Sequence, residues 1–285
     1  MSSLTDQLVT LVSCLSELTV TIPQLNISLP VLELVRALLI TYAYRTALQG
    51  AHATIGWGQG FLATVVMCAG GVSTVTLLRG EPLEILQTNR FWGIYGTTYW
   101  LMFSNPYVYP MVSSLLKVPA VEEFLTLADG ILRNTAITQI GIEGVASNPL
   151  LGNDKWVAKL ICGTLAGCGG GFWIDTFRLT QEHWTFSTPQ FLYDPPVDMK
   201  ASFASTLFYL VSTNTDLCDF IGLPALTQSE AHAWSALLLS SGLVYKSYIN
   251  KINTHNRFNK DVPSTTTTTG DTTTTSDQLD EKKND

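Results

Sequence analysis

The stretch WGQGFLATVVMCAGGVSTVTLL, residues 57–78, contains no charged side chain. At about 1.5 Å per residue, an α-helix of this length crosses the roughly 30 Å hydrocarbon core of a bilayer. A second stretch, residues 155–179, is similarly apolar and carries its charges near its two ends. Both stretches therefore predict transmembrane helices.

The composition supports a membrane protein. Of the 285 residues, 46% are hydrophobic and only 14% are charged. A soluble protein needs more charge to cover its surface, whereas lipid requires apolar side chains on the outside of every spanning helix. The net charge of -7 comes largely from acidic residues at positions 261–285. No dense patch of lysine and arginine is present, which argues against nucleic-acid binding.

Five further apolar stretches extend the prediction to an all-α integral membrane protein with seven transmembrane helices. They are separated by loops rich in Gly, Pro, Asn and charge, and they comprise residues 29–50, 91–116, 121–144, 199–221 and 229–249. We therefore expect a membrane domain over residues 29–250. Residues 1–28 form an amino-terminal segment that is too polar to span.

The distribution of lysine and arginine predicts the orientation, because short loops retain positive charge on the cytoplasmic side. A luminal amino terminus gives the better distribution, with eight of these residues on the cytosolic side and three opposite: Arg45, Lys117, Arg178, Lys200, Lys246, Lys251, Arg257 and Lys260 against Arg79, Arg90 and Lys155. The segment 1–28 is then luminal, and the carboxyl terminus is cytosolic.

The carboxyl-terminal residues 251–285 are predicted to form a disordered cytosolic tail. After Asn259 the chain consists mainly of Thr, Asp, Ser and Gly, a composition that cannot bury apolar surface. Lys282 and Lys283 resemble the dilysine retrieval address of endoplasmic-reticulum membrane proteins, which is read on a cytosolic tail. The alternative is a chance pair of lysines at a charged end.

A pattern of glycine and arginine occurs twice. Gly70-Gly71 precedes Arg79, and Gly169-Gly170 precedes Arg178 at the same spacing, 99 positions later. If residues 29–117 and 121–221 are two three-helix repeats, the odd number of spans inverts one relative to the other. The stretch 229–249 is then a seventh helix outside both repeats. Inverted repeats place a pathway near the bilayer midplane.

The glycine clusters have two interpretations. One is tight helix packing, for which small residues are the usual choice. The other is a helix bend that exposes backbone carbonyls to a water-filled pathway. The recurrence at matched positions favours a pathway with bends at Gly70, Gly71, Gly169, Gly170 and Gly171.

Three charged residues near the ends of the glycine-bearing spans are candidates for pore electrostatics. Asp175 and Arg178 are three positions apart, so they either pair on one helical face or line a vestibule. Arg79 lies at the opposite boundary, next to Glu81, with which it can pair.

The sequence does not point to an enzyme or a metal site. The four histidines have no partner at ligand spacing, and no catalytic motif is present in the spans. The five cysteines form no C-x-x-C pair and lack the spacing of zinc sites. We therefore expect no catalytic residues, no metal and no cofactor.

Several segments of the membrane domain resemble the trimeric intracellular cation channels (TRIC). Residues 69–83 (AGGVSTVTLLRGEPL) resemble the second span and acidic-proline loop of that family, residues 99–106 (YWLMFSNP) resemble its third span, and residues 163–179 (GTLAGCGGGFWIDTFRL) resemble its fifth. The resemblance covers about residues 29–250. It implies a homotrimer with one pore per subunit in the endoplasmic reticulum or another endomembrane. Such a channel passes potassium and other monovalent cations as counter-ions during calcium release.

One segment departs from that family. Animal members bind a phosphoinositide with a motif on the fourth span that begins Lys-Glu-Val and ends in Arg, whereas residues 129–133 here read DGILR. Only Arg133 is left as a possible lipid-binding residue, and Asp129 would repel a phosphate. The sequence therefore argues against tight phosphoinositide binding.

Two other functions are compatible with the same architecture. A small secondary transporter would use Asp129, Asp175 or Asp216 as a proton-coupled carboxylate. A structural membrane protein would conduct nothing, and its glycine clusters would serve packing alone.

Overall fold

The computed structural model describes residues 2–23, 27–118, 120–222 and 224–261, and most of these residues are helical. The chain divides into two units, Met1–Tyr248 and Ile249–Asp285. The contacts described below lie within the first unit. In the second unit, residues 249–261 are helical, and Lys282 and Lys283 lie outside the described residues.

The amino-terminal segment contains regular structure that the sequence did not reveal. Helix α1 (Ser2–Glu17) is followed by an antiparallel pair of strands, β1 (Thr19–Ile22) and β2 (Ile27–Pro30), and then by helix α2 (Val31–Leu48). Val12 of α1 is buried against a cluster that includes Leu32 and Ala128. The apolar residues of α1 recur at helical spacing, which explains why this weakly apolar segment packs on the bundle.

The two glycine-bearing helices have almost the predicted bounds. Helix α3 spans Trp57–Leu78 and helix α9 spans Trp156–Phe177. Among the helices of the described residues, these two are long and apolar enough to cross a membrane by length and composition. Helix α2 fails that test because it carries Glu33, Arg36 and Arg45.

The predicted third span consists of two helices, α5 (Asn89–Ser104) and α6 (Val108–Leu116), which follow the short helix α4 (Glu84–Gln87). Pro106 explains the break, because proline disfavours helical backbone in the residue that precedes it. Asn105 accordingly has φ -99° and ψ 121°. Its side-chain oxygen accepts a hydrogen bond from the Tyr107 N–H at 2.9 Å, which begins the next helix.

The predicted fourth and sixth spans are also composite. The fourth consists of α7 (Val121–Thr135), a π-helical segment (Ala136–Glu143) and α8 (Gly144–Ser147). The sixth consists of α10 (Val197–Ser212) and α11 (Thr215–Ile221), with Asn214 capping α11 by accepting a hydrogen bond from the Leu217 N–H. Helix α12 (Gln228–Asp261) begins as predicted and extends beyond residue 249.

A buried polar cluster joins α7, α10 and α12. The Asn134 side chain donates hydrogen bonds to the His232 carbonyl and to Ser235 Oγ, each at 3.0 Å. Its oxygen accepts a hydrogen bond from Ser205 Oγ at 2.9 Å. A fully satisfied amide in an apolar interior specifies one packing register, because a shifted register would leave polar groups unpaired.

Candidate functional site

Helices α3 and α9 approach each other at their glycines. A Cβ atom added to Gly71 would lie 2.5 Å from the Leu165 carbonyl oxygen. One added to Gly169 would overlap the Gly71 Cα atom, and one added to Gly170 would overlap the Met67 carbonyl oxygen. The backbones therefore touch, which only residues without side chains permit.

The contacts at this crossing occur as matched pairs. Gly71 faces the Ala166 carbonyl, and Gly170 faces the Met67 carbonyl. At the repeat spacing of 99 positions, Gly71 corresponds to Gly170 and Ala166 corresponds to Met67, so the two contacts are equivalent. Residues at that same separation also bond directly, since Trp173 Nε1 donates a hydrogen bond to Thr74 Oγ1 at 2.8 Å. Equivalent positions of the two segments thus face each other, as they do about a two-fold axis.

The five predicted glycines fall into two groups. Gly70, Gly71, Gly169 and Gly170 lie at the crossing, and both helices pass through it without interruption. Gly171 has open space around its added Cβ atom. Helix packing, the first interpretation of these glycines, describes the contacts of the four at the crossing. A role in an ion pathway stays a prediction.

Arg79 lies immediately after α3 and connects this helix to the composite fourth span. Its Nη1 donates a hydrogen bond to the Ile140 carbonyl in the π-helical segment at 3.0 Å. Its Nη2 forms the expected ion pair with Glu81, at 2.7 Å. Asn148 donates hydrogen bonds to both the Arg79 carbonyl and Glu81. Arg79 is therefore a half-buried structural contact at one end of the bundle.

Asp175 and Arg178 do not form the helical-face pair that their spacing allows. Helix α9 ends at Phe177, and Arg178 has left-handed backbone angles of φ 48° and ψ 50°. Its exposed side chain therefore leaves the face that Asp175 occupies, and the part of the chain that the structure describes shows no ion pair between them. Asp175 is half-buried and interacts electrostatically with Lys246.

A chain of charged side chains crosses the bundle, and most of it was not predicted. Asp129 pairs with Arg36 at 3.1 Å and with Arg133 at 2.7 Å, although its side chain is only 7% exposed. Arg133 also approaches Asp198 at 3.8 Å, and Asp198 pairs with Lys246 at 2.8 Å. These residues belong to α2, α7, α10 and α12.

One sequence signal could have identified this chain of charges. Arg36 and Asp129 each interrupt an apolar segment, and ionisable residues inside a span face protein or water and pair with one another. The identity of the partners is not readable, because Arg36 and Asp129 are 93 positions apart. Arg36 also donates a hydrogen bond to the Cys68 carbonyl at 3.1 Å, which connects the chain of charges to the middle of α3.

A cavity of about 630 Å³ lies where the π-helical segment, the start of α9, the end of α10 and the start of α12 meet. Its lining includes Glu143, Asn153, Lys159 and Tyr209. The Tyr209 hydroxyl donates a hydrogen bond to a Glu143 carboxylate oxygen. Within the described residues, no cluster of His, Cys, Asp and Glu is arranged to hold a metal ion.

Three solved structures share this fold. One concerns the activity of TRIC counter-ion channels in calcium release; it has a TM-score of 0.60 and 17% identity, with 78% of this chain and 93% of that chain covered. A trimeric intracellular cation channel from C. elegans with bound Ca²⁺ has a TM-score of 0.62 and 15% identity, with 85% of this chain and 97% of that chain covered. The C. elegans channel in the absence of Ca²⁺ has a TM-score of 0.60 and 14% identity, with 85% of this chain and 96% of that chain covered. No curated protein matches the sequence significantly.

A family model settles the classification. The model of the TRIC channel family matches residues 57–222, which is more than half of the chain, and confirms the resemblance of residues 69–83, 99–106 and 163–179. Members of the family are ion channels and not enzymes. The chain therefore belongs to the TRIC channel family.

Proposed function

We propose that this protein is a potassium-conducting channel of an intracellular membrane, a homotrimer with one pore per subunit. It passes potassium and other monovalent cations to offset the charge moved during calcium release. Family membership supports cation conduction. The structural neighbours, a trimeric intracellular cation channel and the TRIC counter-ion channels in calcium release, support the trimer and the role in calcium release.

The observation that carries the proposal is the paired contact of equivalent positions at the α3–α9 crossing. It supports two inverted three-helix repeats, one over residues 29–117 and one over residues 121–221, with α12 as a seventh spanning helix. In such folds the pathway lies between the repeats near the midplane. Because the two backbones touch at the crossing, the pathway runs beside the crossing, close to the open side of Gly171.

Arg79, Asp175 and Arg178 shape the field along this pathway in our proposal. Arg178 is exposed beyond the end of α9, and Asp175 is half-buried one turn before it. Charges at the mouth of a pore change the local concentration of permeating ions. With a luminal amino terminus, Asp175 and Arg178 lie near the cytosolic mouth and Arg79 near the luminal mouth. Lys282 and Lys283 would then direct retrieval to the endoplasmic reticulum.

Potassium flux through purified protein in liposomes tests this function. We expect flux that follows an imposed potassium gradient and is unaffected by an imposed proton gradient, because a channel conducts passively. An Arg178→Gln variant removes an exposed positive charge at the proposed mouth, so it is expected to raise potassium flux at low salt, and added salt should diminish the increase by screening. Flux driven by the proton gradient would instead establish a coupled transporter, and no flux with folded protein would leave a structural membrane protein.

We also propose that the channel does not depend on tight phosphoinositide binding, with Arg133 as the only candidate contact. Asp129 already pairs with Arg133 at 2.7 Å, and Asp198 lies 3.8 Å from it, so a phosphate would have to displace carboxylates. We expect co-flotation with vesicles that contain phosphatidylinositol bisphosphate to match that with vesicles of equal charge made with phosphatidylserine. Preferential binding that disappears in Arg133→Gln would contradict this proposal.

A further inference from the structure

One buried lysine, Lys159, has no role in the function proposed above. Lys159 lies in the first turns of α9, is only 7% exposed and lines the 630 Å³ cavity. Lysine is almost never fully buried unless it is paired. Among the residues that the structure describes, no carboxylate lies within ion-pair distance of the Lys159 ammonium.

The surroundings of this ammonium are those of a cation site. Asn153 Oδ1 accepts a hydrogen bond from Lys159 Nζ at 2.6 Å, and Nζ lies 5.7 Å from the centroid of the Trp156 ring. Amide oxygens coordinate monovalent cations, and the face of an aromatic ring attracts them. The carboxylates of Glu143 and Asp154 also line the cavity. Two carboxylates and one ammonium therefore line the cavity, and Lys155, which lies outside the lining, pairs with one of the carboxylates, Asp154.

Helix stability does not explain the position of this lysine. A positive charge in the first turns of a helix opposes the helix dipole, which favours negative charge there. Lys155, one turn earlier, shows the ordinary alternative, because its side chain is 57% exposed and pairs with Asp154 at 3.2 Å. Lys159 instead directs its ammonium towards Asn153 in the lining of the cavity.

We propose that the cavity is a binding site for a monovalent alkali cation and that the Lys159 ammonium occupies it as a tethered cation. Lys159 thereby competes with ions that enter from this end of the bundle, and it opposes divalent cations more strongly than monovalent ones because the repulsion scales with charge. The second part of this inference rests on the proposed channel function, whereas the site itself does not.

The site is tested without flux by thermal unfolding in detergent. Lys159→Met removes the tethered charge, and Lys117→Met makes the same charge change at an exposed position outside the lining of the cavity. We expect Lys159→Met to show a higher melting temperature in potassium chloride than in N-methyl-D-glucamine chloride of equal ionic strength, because an ion that binds the folded state stabilises it. This potassium-dependent increase should exceed that of the wild type and of Lys117→Met, and Lys159→Arg should behave as the wild type.

The competition is tested in liposomes with the same variants. We expect Lys159→Met to raise potassium flux by about three- to tenfold, the effect of removing a unit charge a few ångströms from an ion in a water-like medium. Calcium permeability relative to potassium should rise as well. Lys117→Met should change neither quantity by more than about twofold.

The outcomes separate the two proposals. A wild-type protein that folds but conducts no potassium overturns the channel function, and the melting temperatures then decide the site alone. Equal potassium dependence of melting in Lys159→Met and Lys117→Met overturns the site. If Lys159→Met fails to fold, Lys159→Gln takes its place. If that variant is less stable than the wild type, Lys159→Arg is as stable as the wild type, and the ion dependence of melting is the same in all three, Lys159 has a structural role instead.

Discussion

Replacing Gly170 by alanine is expected to lower the free energy of unfolding by about 1–3 kcal/mol, the usual effect of adding an atom to a well-packed interior. The new Cβ atom would overlap the carbonyl oxygen of Met67. Neither helix can yield without separating the whole α3–α9 crossing, because the obstructing atom is backbone. Gly170→Leu should prevent formation of the folded protein.

Gly171→Ala is the matched control for this prediction. Gly171 is the next residue of the same helix, and its added Cβ atom would meet no atom within 4 Å. Alanine is a better helix former than glycine by about 1 kcal/mol, so this variant should be as stable as the wild type or slightly more stable. The measurement is unfolding by sodium dodecyl sulfate in mixed micelles. Equal stability of Gly170→Ala and Gly171→Ala would refute the close crossing.

Replacing Asp129 by asparagine is expected to cost about 3–5 kcal/mol, the range measured when one partner of a buried ion pair is removed. The substitution leaves Arg36 and Arg133 without their shared carboxylate, and their side chains are only 14% and 20% exposed. The same micellar unfolding experiment measures this loss. Because several elements meet at this carboxylate, the loss should affect the folding of the whole bundle.

Two further variants make this second prediction specific. Asp216 is exposed in α11, so Asp216→Asn makes the same chemical change and should alter the unfolding free energy by no more than about 0.5 kcal/mol. The double variant Arg36→Met with Asp129→Leu should recover part of the loss, because it removes one of the two arginines left without Asp129, while Arg133 still has Asp198 at 3.8 Å. A double variant less stable than Asp129→Asn would show that the chain of charges stabilises by packing rather than by pairing.

The helices that the sequence predicts best are those with the longest uninterrupted apolar runs. Residues 57–78 and 155–179 predict α3 and α9 within a few positions, because an apolar run of this length with no charge in its middle has few alternatives to a spanning helix. The breaks were harder to foresee. Pro106 signals one of them, but the π-helical segment at residues 136–143 has no proline or glycine pair at its start. Its Ile140 carbonyl accepts a hydrogen bond from Arg79, a tertiary contact that local sequence does not reveal.

For the site residues too, the sequence predicts some features and not others. Matched glycines predicted that residues near 70 and 170 are equivalent, and the structure brings them together. Their spacing could not reveal that they contact each other, because a repeat establishes equivalence and not adjacency. Asp175 and Arg178 look like a helical pair in sequence, yet the helix ends between them. The Arg36 and Asp129 pair was missed because two single charges in separate spans carry no information about their partner.

The π-helical segment Ala136–Glu143 has a consequence for comparing relatives of this chain. A π-helical turn accommodates more residues than an α-helical turn, so everything after residue 143 is rotated and shortened in rise relative to a regular continuation. A relative that has a regular α-helix here needs at least one residue fewer to present Gly144 to the guanidinium group of Arg79, which lies against it. Alignments of this span should therefore permit a gap between positions 136 and 143, and a gapless alignment would pair residues from opposite faces of the helix.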